Sequence, residues 1–227
     1  MPEPLPAQQT PGWSYLDDHL WHTCEIVADV LGGTVAQRPL LATRAPLAPG
    51  ERALAVGPAT RLTWRAFGNG SYTSSQVVAF GSPAFVIGSL LGNAVGNSVR
   101  RRQAARDAQP RWVVDGGGEL TVTPRKAHFA GQNTSNELNY TGLDSIDLVG
   151  PDMVETSFIS TVGRPCTLRL QTLWASLIFV LAALEAFPSH PRLLARGWLP
   201  LGFEQRCAAM GRPCKPAAEI AARSRTR

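Results

Sequence analysis

Residues 118–131 read GELTVTPRKAHFAG and carry the clearest hairpin pattern in the chain. Two β-like runs, at 119–123 and 127–130, stand on either side of a Pro-Arg-Lys sequence. Short runs of this kind, separated by glycine-rich clusters, are typical of strands joined by turns. We therefore predict a hairpin here, with Gly116-Gly117-Gly118 as the turn before it and Gly131-Gln132-Asn133 as the turn after it.

Further strands are predicted on both sides of this hairpin. The β-like runs before it occupy 53–56, 61–67 and 112–114, and those after it occupy 145–149, 153–159 and 167–170. Gly150-Pro151-Asp152 supplies one more turn. The last run leads into a predicted helix at 173–187, with Thr172 as its N-cap and Pro188 after its end.

The predicted helix 173–187 is apolar on almost every face. Such a helix has to be covered by protein on more than one side. A series of short strands followed by this helix predicts an α+β fold, in which a small bent antiparallel sheet or barrel is capped by a C-terminal helix.

Four segments in this order resemble those of PH/GRAM-like domains of bacteria. Residues 47–51, LAPGE, look like the "pGE" opening of these domains, and 118–131 is similar to their G-x-L-x-x-T-x-x-R-x-x-F hairpin. Residues 138–149, LNYTGLDSIDLV, look like the strand that follows, and 167–187 matches the closing strand and capping helix. The chain also resembles uncharacterised actinobacterial PH-like proteins with a Gly-rich insertion.

The resemblance implies a superfold that binds phosphoinositides, other lipids or proteins, usually without catalysis. It divides the chain into an N-terminal helix and linker (1–46), a PH/GRAM-like domain (47–187) with a Gly-rich helical insertion (68–110), and a C-terminal helical extension with a basic tail (188–227). Phosphoinositide-binding members carry several Lys and Arg around their first hairpin loop. This chain offers only Arg52 and Arg61 near its first strands.

The insertion has a pattern of its own. Ser82-Pro83 is typical of a helix start, and a helix at 83–108 is predicted. Small residues recur every four positions on one face, namely Ala84, Gly88, Gly92 and Gly96. Such spacing lets helices approach closely, so we predict a glycine zipper that packs within the protein or joins copies of it into a homo-oligomer.

The same insertion leaves two membrane interpretations open. In one, it lies on or inserts reversibly into a membrane while Arg100, Arg101, Arg102 and Arg106 contact anionic headgroups. In the other, segment 77–99 is a true single span. Against a span, the helix has only about 17 uncharged residues before Arg100, or about 26 Å, whereas the hydrocarbon core is about 30 Å thick.

A helix is also predicted at 13–31, ended by Gly32-Gly33. One of its faces carries Asp18, His22, Glu25 and Asp29, which is expected to be an acidic face in solvent. A metal site on that face is the alternative, and a metal or redox site at Cys207 and Cys214 with a histidine is another. Because 1–12 lacks the features of an export signal, reduced thiols are expected.

Composition and charge exclude several classes of protein. Hydrophobic residues make up 44% and charged residues 17% of the 227 residues, which excludes an intrinsically disordered chain. The net charge is +5, and all but two of the 22 basic residues are Arg. A positive excess favours acidic partners. The basic run 100–111 lacks interleaved aromatic residues, which disfavours nucleic acid as the partner.

We therefore predict a cytoplasmic, non-enzymatic PH/GRAM-like interaction module without a cofactor or metal. Its expected partner is an anionic lipid or a protein, and the inner face of the cell membrane is the alternative location. The cations expected to meet an anionic surface are Arg100, Arg101, Arg102, Arg106, Arg125 and Lys126. The alternative function is an integral membrane protein anchored by segment 77–99, with a cytoplasmic PH-like domain.

Overall fold

The computed structural model describes residues 12–66, 102–103, 105–106, 108–132 and 134–214. Its strands are β1 (Ala55–Arg65), β2 (Arg111–Val122), β3 (Lys126–Gly131), β4 (Ser135–Asn139), β5 (Leu143–Gly150), β6 (Met153–Ile159) and β7 (Pro165–Gln171). Its helices are α1 (Tyr15–Gly32), α2 (Ala175–Ala186), α3 (Pro191–Leu194) and α4 (Phe203–Ala209), with 3-10 turns at Val35–Gln37 and Tyr140–Gly142. The predicted α+β class is therefore confirmed.

The seven strands form a single curled antiparallel sheet in the order β4-β3-β2-β1-β7-β6-β5. The predicted hairpin is present, with Leu120 of β2 opposite Phe129 of β3. The turn at Gly150 is present as well, because β5 pairs with β6 immediately beyond it. This architecture is compatible with the PH-like fold that the motifs predict.

The prediction of a turn at Gly116–Gly118 is wrong, because β2 runs through all three glycines. A Cβ atom on Gly118 would lie 2.8 Å from the carbonyl carbon of Ala130 on β3, and closer still to the carbonyl oxygen. Gly116 has a φ of 139°, which L side chains rarely adopt. The glycines thus allow β3 to approach β2 closely and give β2 an irregular backbone, without reversing the direction of the chain.

The predicted break between 53–56 and 61–67 is also absent, because β1 continues through Pro58. Proline lacks the N–H that a ladder hydrogen bond needs, which is why it normally interrupts a strand. Here the carbonyl of Pro58 accepts a hydrogen bond from the hydroxyl of Thr172, at 3.0 Å. The first strand is therefore tied to the end of β7 at this proline.

The core is centred on α2. Its first nine residues, 175–183, are all buried. They pack against β5 and β6 of the sheet and against α1, and the hydroxyl of Ser176 donates to the carbonyl of Trp198 at 3.1 Å. The prediction that this helix is covered on more than one side is confirmed. Thr172 is not its N-cap; that position is Trp174, whose N–H donates to the Thr172 hydroxyl.

The N-terminal helix begins at a capping box and ends at a left-handed glycine. The Ser14 side chain accepts from the Asp17 N–H, while the Asp17 carboxylate accepts from the Ser14 N–H. Gly33 closes the helix with a φ of 69°. Within the described stretches of the chain, no helix is both long enough and apolar enough to cross a membrane.

The chain divides into two compact units, residues 1–62 with 115–227 and residues 63–114. In the second unit the rings of Trp64 and Trp112 meet edge to face, with centroids 5.4 Å apart. The proposed helix-packing residues, Ala84, Gly88, Gly92 and Gly96, lie outside the described residues, as does segment 77–99. The predictions for the zipper and for the three-part division stay predictions.

Replacing Gly118 with Ala is expected to lower the free energy of unfolding by roughly 2 kcal/mol, because the added methyl forces β2 away from β3. Chemical denaturation monitored by circular dichroism measures this loss. Gly117→Ala is the matched control, since the nearest atom to its Cβ would be 3.8 Å away. Equal stability of the two variants would contradict the close approach at Gly118.

Candidate functional site

A groove of about 640 Å³ lies between the segment that follows α1 and the turn between β2 and β3. One wall comes from residues 35–52 and the other from the two hairpins around β3. We call it the hairpin groove. Its lining residues are Val35, Ala36, Ala48, Pro49, Gly50, Glu51, Arg52, Pro124, Arg125, Lys126, Glu137 and Asn139.

The turn between β2 and β3, Thr123-Pro124-Arg125-Lys126, lies at the base of the groove. The Thr123 N–H donates to the Lys126 carbonyl at 2.9 Å, which closes the hairpin. The N–H groups of Arg125 and Lys126 both donate to the Thr123 hydroxyl, at 3.3 and 3.2 Å. This closed turn leaves the Arg125 side chain exposed to solvent.

Glu51 joins the two walls of the groove. Its carboxylate accepts hydrogen bonds from the Thr123 hydroxyl and from the Ala48 N–H, each at 2.9 Å. The Lys126 ammonium lies 3.3 Å from Glu51 and 3.0 Å from Glu137. With only 13% of the Glu51 side chain exposed, these partners satisfy a carboxylate that burial alone would disfavour.

The charges of Glu51 and Lys126 stabilise each other. Burial opposes ionisation of Glu51, but the hydrogen bonds from Ala48 and Thr123 and the charge of Lys126 outweigh it, so the pKa of Glu51 lies below its usual value. The hydrogen bond to Glu137, helped by that to Glu51, raises the pKa of Lys126 against the effect of burial. Both groups are therefore charged at neutral pH.

Further contacts hold the 35–52 wall in place. The Arg44 N–H donates to the Glu119 carboxylate at 2.8 Å, and Leu54 N–H donates to the Val122 carbonyl at 2.7 Å. The Arg52 guanidinium donates to the Arg38 carbonyl at 3.1 Å. Since the Arg38 side chain is itself paired with Asp29 of α1 at 2.6 Å, the wall is anchored at both ends.

The groove combines apolar lining with a small excess of positive charge. Apolar surface comes from Val35, Ala36 and the two prolines, Pro49 and Pro124. Three cations, Arg52, Arg125 and Lys126, face two carboxylates, Glu51 and Glu137. Because Lys126 is already held between both carboxylates, the guanidinium groups of Arg52 and Arg125 are the cations best placed to meet an acidic group on a ligand.

The structure places the six predicted cations in different surroundings. Arg125 and Lys126 meet in the hairpin groove, and Arg102 and Arg106 are exposed residues with helical backbone in the unit 63–114. Arg100 and Arg101 lie outside the described residues. In the sequence, Glu51 stands out only as a residue of the LAPGE motif, and Arg52 only as a cation near the first strand. No sequence pattern points to Glu137. Glu51 and Thr123 are 72 positions apart, so no local pattern signals their pairing.

The acidic face of α1 is at least partly exposed, as expected, but two of its carboxylates are paired. Asp18 accepts hydrogen bonds from the Trp13 indole at 2.8 Å and from Arg212 at 2.6 Å, while Asp29 is paired with Arg38. His22 on the same face is exposed, and partial desolvation lowers its pKa. Among the side chains that the structure describes, no three His, Cys, Asp or Glu groups are placed to hold one metal ion.

Comparison of the chain with protein-family models finds no match, and comparison with curated proteins finds none either.

Replacing Glu51 with Gln is expected to cost roughly 1 to 2 kcal/mol of unfolding free energy at pH 7, because it removes a charge that the Thr123 hydroxyl, the Ala48 N–H and the Lys126 ammonium hold. The pKa of Glu51 is lower in the folded chain than in the unfolded chain. Its stabilisation is therefore complete above the ordinary carboxyl pKa of about 4.3 and is lost as the pH falls through the lower folded value.

Urea unfolding of both proteins at pH 7 and at about pH 3 measures this dependence. The difference between wild type and Glu51→Gln should shrink at the lower pH. Glu137→Gln is the control, since its side chain is 48% exposed and should contribute less than about 0.5 kcal/mol. A difference that does not change with pH would contradict the role given to the Glu51 charge.

Proposed function

We propose that this chain is a non-enzymatic PH/GRAM-like interaction module of the cytoplasm, and that its hairpin groove binds an acidic segment of a protein partner. The observation that carries the proposal is the groove itself, with apolar walls and the exposed guanidinium of Arg125 at its edge. The PH/GRAM-like identity rests on the order of the sequence motifs and on a sheet topology compatible with them.

A protein segment suits the groove better than a flat surface does. Binding sites that combine apolar lining with a few fixed polar groups favour ligands that enter a concavity. An extended segment presents alternating side chains, so one acidic residue could meet Arg125 while its apolar neighbours contact the prolines. The fold does not itself decide the ligand, and only the groove's residues support this choice.

The walls of the groove support binding without rearrangement. Glu51 fixes the position of the 35–52 wall relative to the Thr123–Lys126 turn, through contacts that are mostly shielded from water. A site that is held in its binding conformation loses less conformational entropy when it binds a ligand. This is the physical advantage of an ion pair that holds the two walls of the groove together.

An anionic membrane surface is the second candidate partner. Arg102 and Arg106, which follow the Gly-rich segment, are both exposed, as electrostatic contact with headgroups requires. Membrane anchoring by segment 77–99, and a homo-oligomer formed through Ala84, Gly88, Gly92 and Gly96, remain proposals based on the sequence alone.

Selection of a random twelve-residue peptide library on the purified full chain is expected to enrich sequences in which Asp or Glu is flanked by apolar residues. Replacing both Arg52 and Arg125 with Ser should then weaken binding of a selected peptide about tenfold, because two cations are lost at the groove. Fluorescence anisotropy of the labelled peptide measures the affinity.

Arg164→Ser is the matched control, since Arg164 is exposed on the β6–β7 turn and does not line the groove. It should bind as wild type does. Peptides without acidic residues, or equal affinity of the double variant and the control, would overturn the assignment of the groove.

Cell fractionation is expected to leave the protein in the soluble fraction, because the proposed partner is a protein. The pellet is washed first with high salt and then with alkaline carbonate. Release by salt would favour the arginine contact with anionic lipid, since ions screen that attraction. Resistance to both washes would favour the span at 77–99, and either result would count against the proposed location.

A further inference from the structure

Three of the four cysteines meet although they are far apart in the sequence. Cys24 lies on α1, Cys207 lies on α4, and Cys214 follows α4 by a few residues. Cys24 and Cys207 are buried in the core, and Cys214 is half-buried against it. The side chain of Cys214 interacts with those of both Cys24 and Cys207. We call these residues the thiol cluster.

Charged and aromatic contacts hold the C-terminal segment 203–214 against α1. Arg206 is paired with Asp17 at 2.8 Å and Arg212 with Asp18 at 2.6 Å. The Arg212 guanidinium also lies over the ring of Trp13, 5.3 Å from its centroid. Cation–π contacts of this kind add to the pairing with the carboxylate. The two arginines therefore keep Cys214 beside Cys24.

The backbone after α4 returns Cys214 to the helix. Gly211 adopts a left-handed conformation with a φ of 67°, and the Arg212 N–H donates to the Cys207 carbonyl at 2.9 Å. This tight C-terminal turn brings the chain back over the last turn of α4. Cys214 is half-buried, whereas Cys24 and Cys207 are buried, so Cys214 is the most accessible residue of the cluster.

The three thiols differ in their tendency to ionise. The hydrogen bond with Cys214 and burial raise the pKa of Cys24, while burial and the neighbouring Cys214 raise that of Cys207 to about 12. The hydrogen bond from Cys24 lowers the pKa of Cys214, against burial and the charges of Glu204 and Glu25. The thiolate is the reactive form of cysteine, and Cys214 is the half-buried member of the cluster while Cys24 and Cys207 are buried, so Cys214 is the nucleophile of the cluster.

We propose that Cys214 is a peroxide-sensitive thiol and that Cys24 converts its oxidised form into a disulfide, which bonds the C-terminal segment to α1. The half-buried position of Cys214, its interaction with Cys24 and the two Arg–Asp pairs that hold the segment 203–214 against α1 carry this inference. It is independent of the hairpin groove, since none of these residues lines that groove.

The reaction has two balanced steps. The Cys214 sulfur attacks one oxygen of hydrogen peroxide, the O–O bond breaks, and hydroxide leaves and becomes water with the thiol proton. Cys214 is then a sulfenic acid. The Cys24 sulfur attacks the Cys214 sulfur, the S–O bond breaks, and the leaving hydroxide takes the Cys24 proton to form a second water. Two thiols are oxidised and one peroxide is reduced.

The full chain, reduced and then treated with hydrogen peroxide, is expected to yield a Cys24–Cys214 disulfide. Remaining thiols are blocked with N-ethylmaleimide before proteolysis and mass spectrometry. Cys166 on β7 is an internal control that should stay alkylated. The disulfide closes a very long loop, so the melting temperature should rise by about 5 °C and fall back after dithiothreitol.

Variants separate the roles of the three thiols. Cys24→Ala should leave Cys214 as a sulfenic acid that a 1,3-dione probe labels, whereas Cys207→Ala should still form the disulfide. Cys214→Ser changes a half-buried side chain, so this variant can still be tested if Cys24→Ala fails to fold. The Cys214→Ser protein should form no disulfide and show no rise in melting temperature. A Cys207–Cys214 bond, earlier oxidation of Cys166, or full alkylation after peroxide would overturn the proposal.

Discussion

The structure depends on one constraint, which is that α2 has no face suited to water. All nine residues from 175 to 183 are buried, and each large aliphatic or aromatic side chain among them gains about 1.5 to 3 kcal/mol from burial. The sheet covers one side of this helix. Leu20, Ile26 and Val27 of α1 belong to the same core, as do Leu193 and Phe203 beyond α2. Segments outside the sheet are therefore required to complete it.

The hairpin groove follows from that arrangement. Helix α1 precedes the sheet in the sequence, but it packs against α2, which follows the sheet. Residues 34–54 therefore have to run from the end of α1 to the start of β1. On the way they pass the β2–β3 turn, where Glu51 meets Thr123 and Lys126. A segment required by packing thus becomes one wall of the hairpin groove, and the contacts of Glu51 help to maintain its position.

The sequence predicted correctly those elements whose formation depends on residues close to one another in the chain. The β2–β3 hairpin, the β5–β6 turn and the burial of α2 all follow from short stretches of sequence. The continuity of β1 through Pro58 and of β2 through Gly116–Gly118 cannot be predicted from short stretches, because it depends on Thr172 and on the backbone of β3. Arg125 and Lys126 stood out as adjacent cations, whereas Glu51 acts through Thr123, 72 positions away. Arg206 and Asp17 are 189 positions apart, so no sequence pattern near either residue predicts their pairing.

The packing of α1 against α2 has a consequence for how the chain is made. A ribosome completes α1 roughly 150 residues before it reaches α2, which corresponds to about 10 to 30 s at ordinary elongation rates. During that interval Leu20, Ile26 and Val27 have no native partner on α2. The nascent chain therefore carries an apolar helix face that chaperones or temporary contacts have to shield, and stable packing of α1 has to wait until α2 has been synthesised.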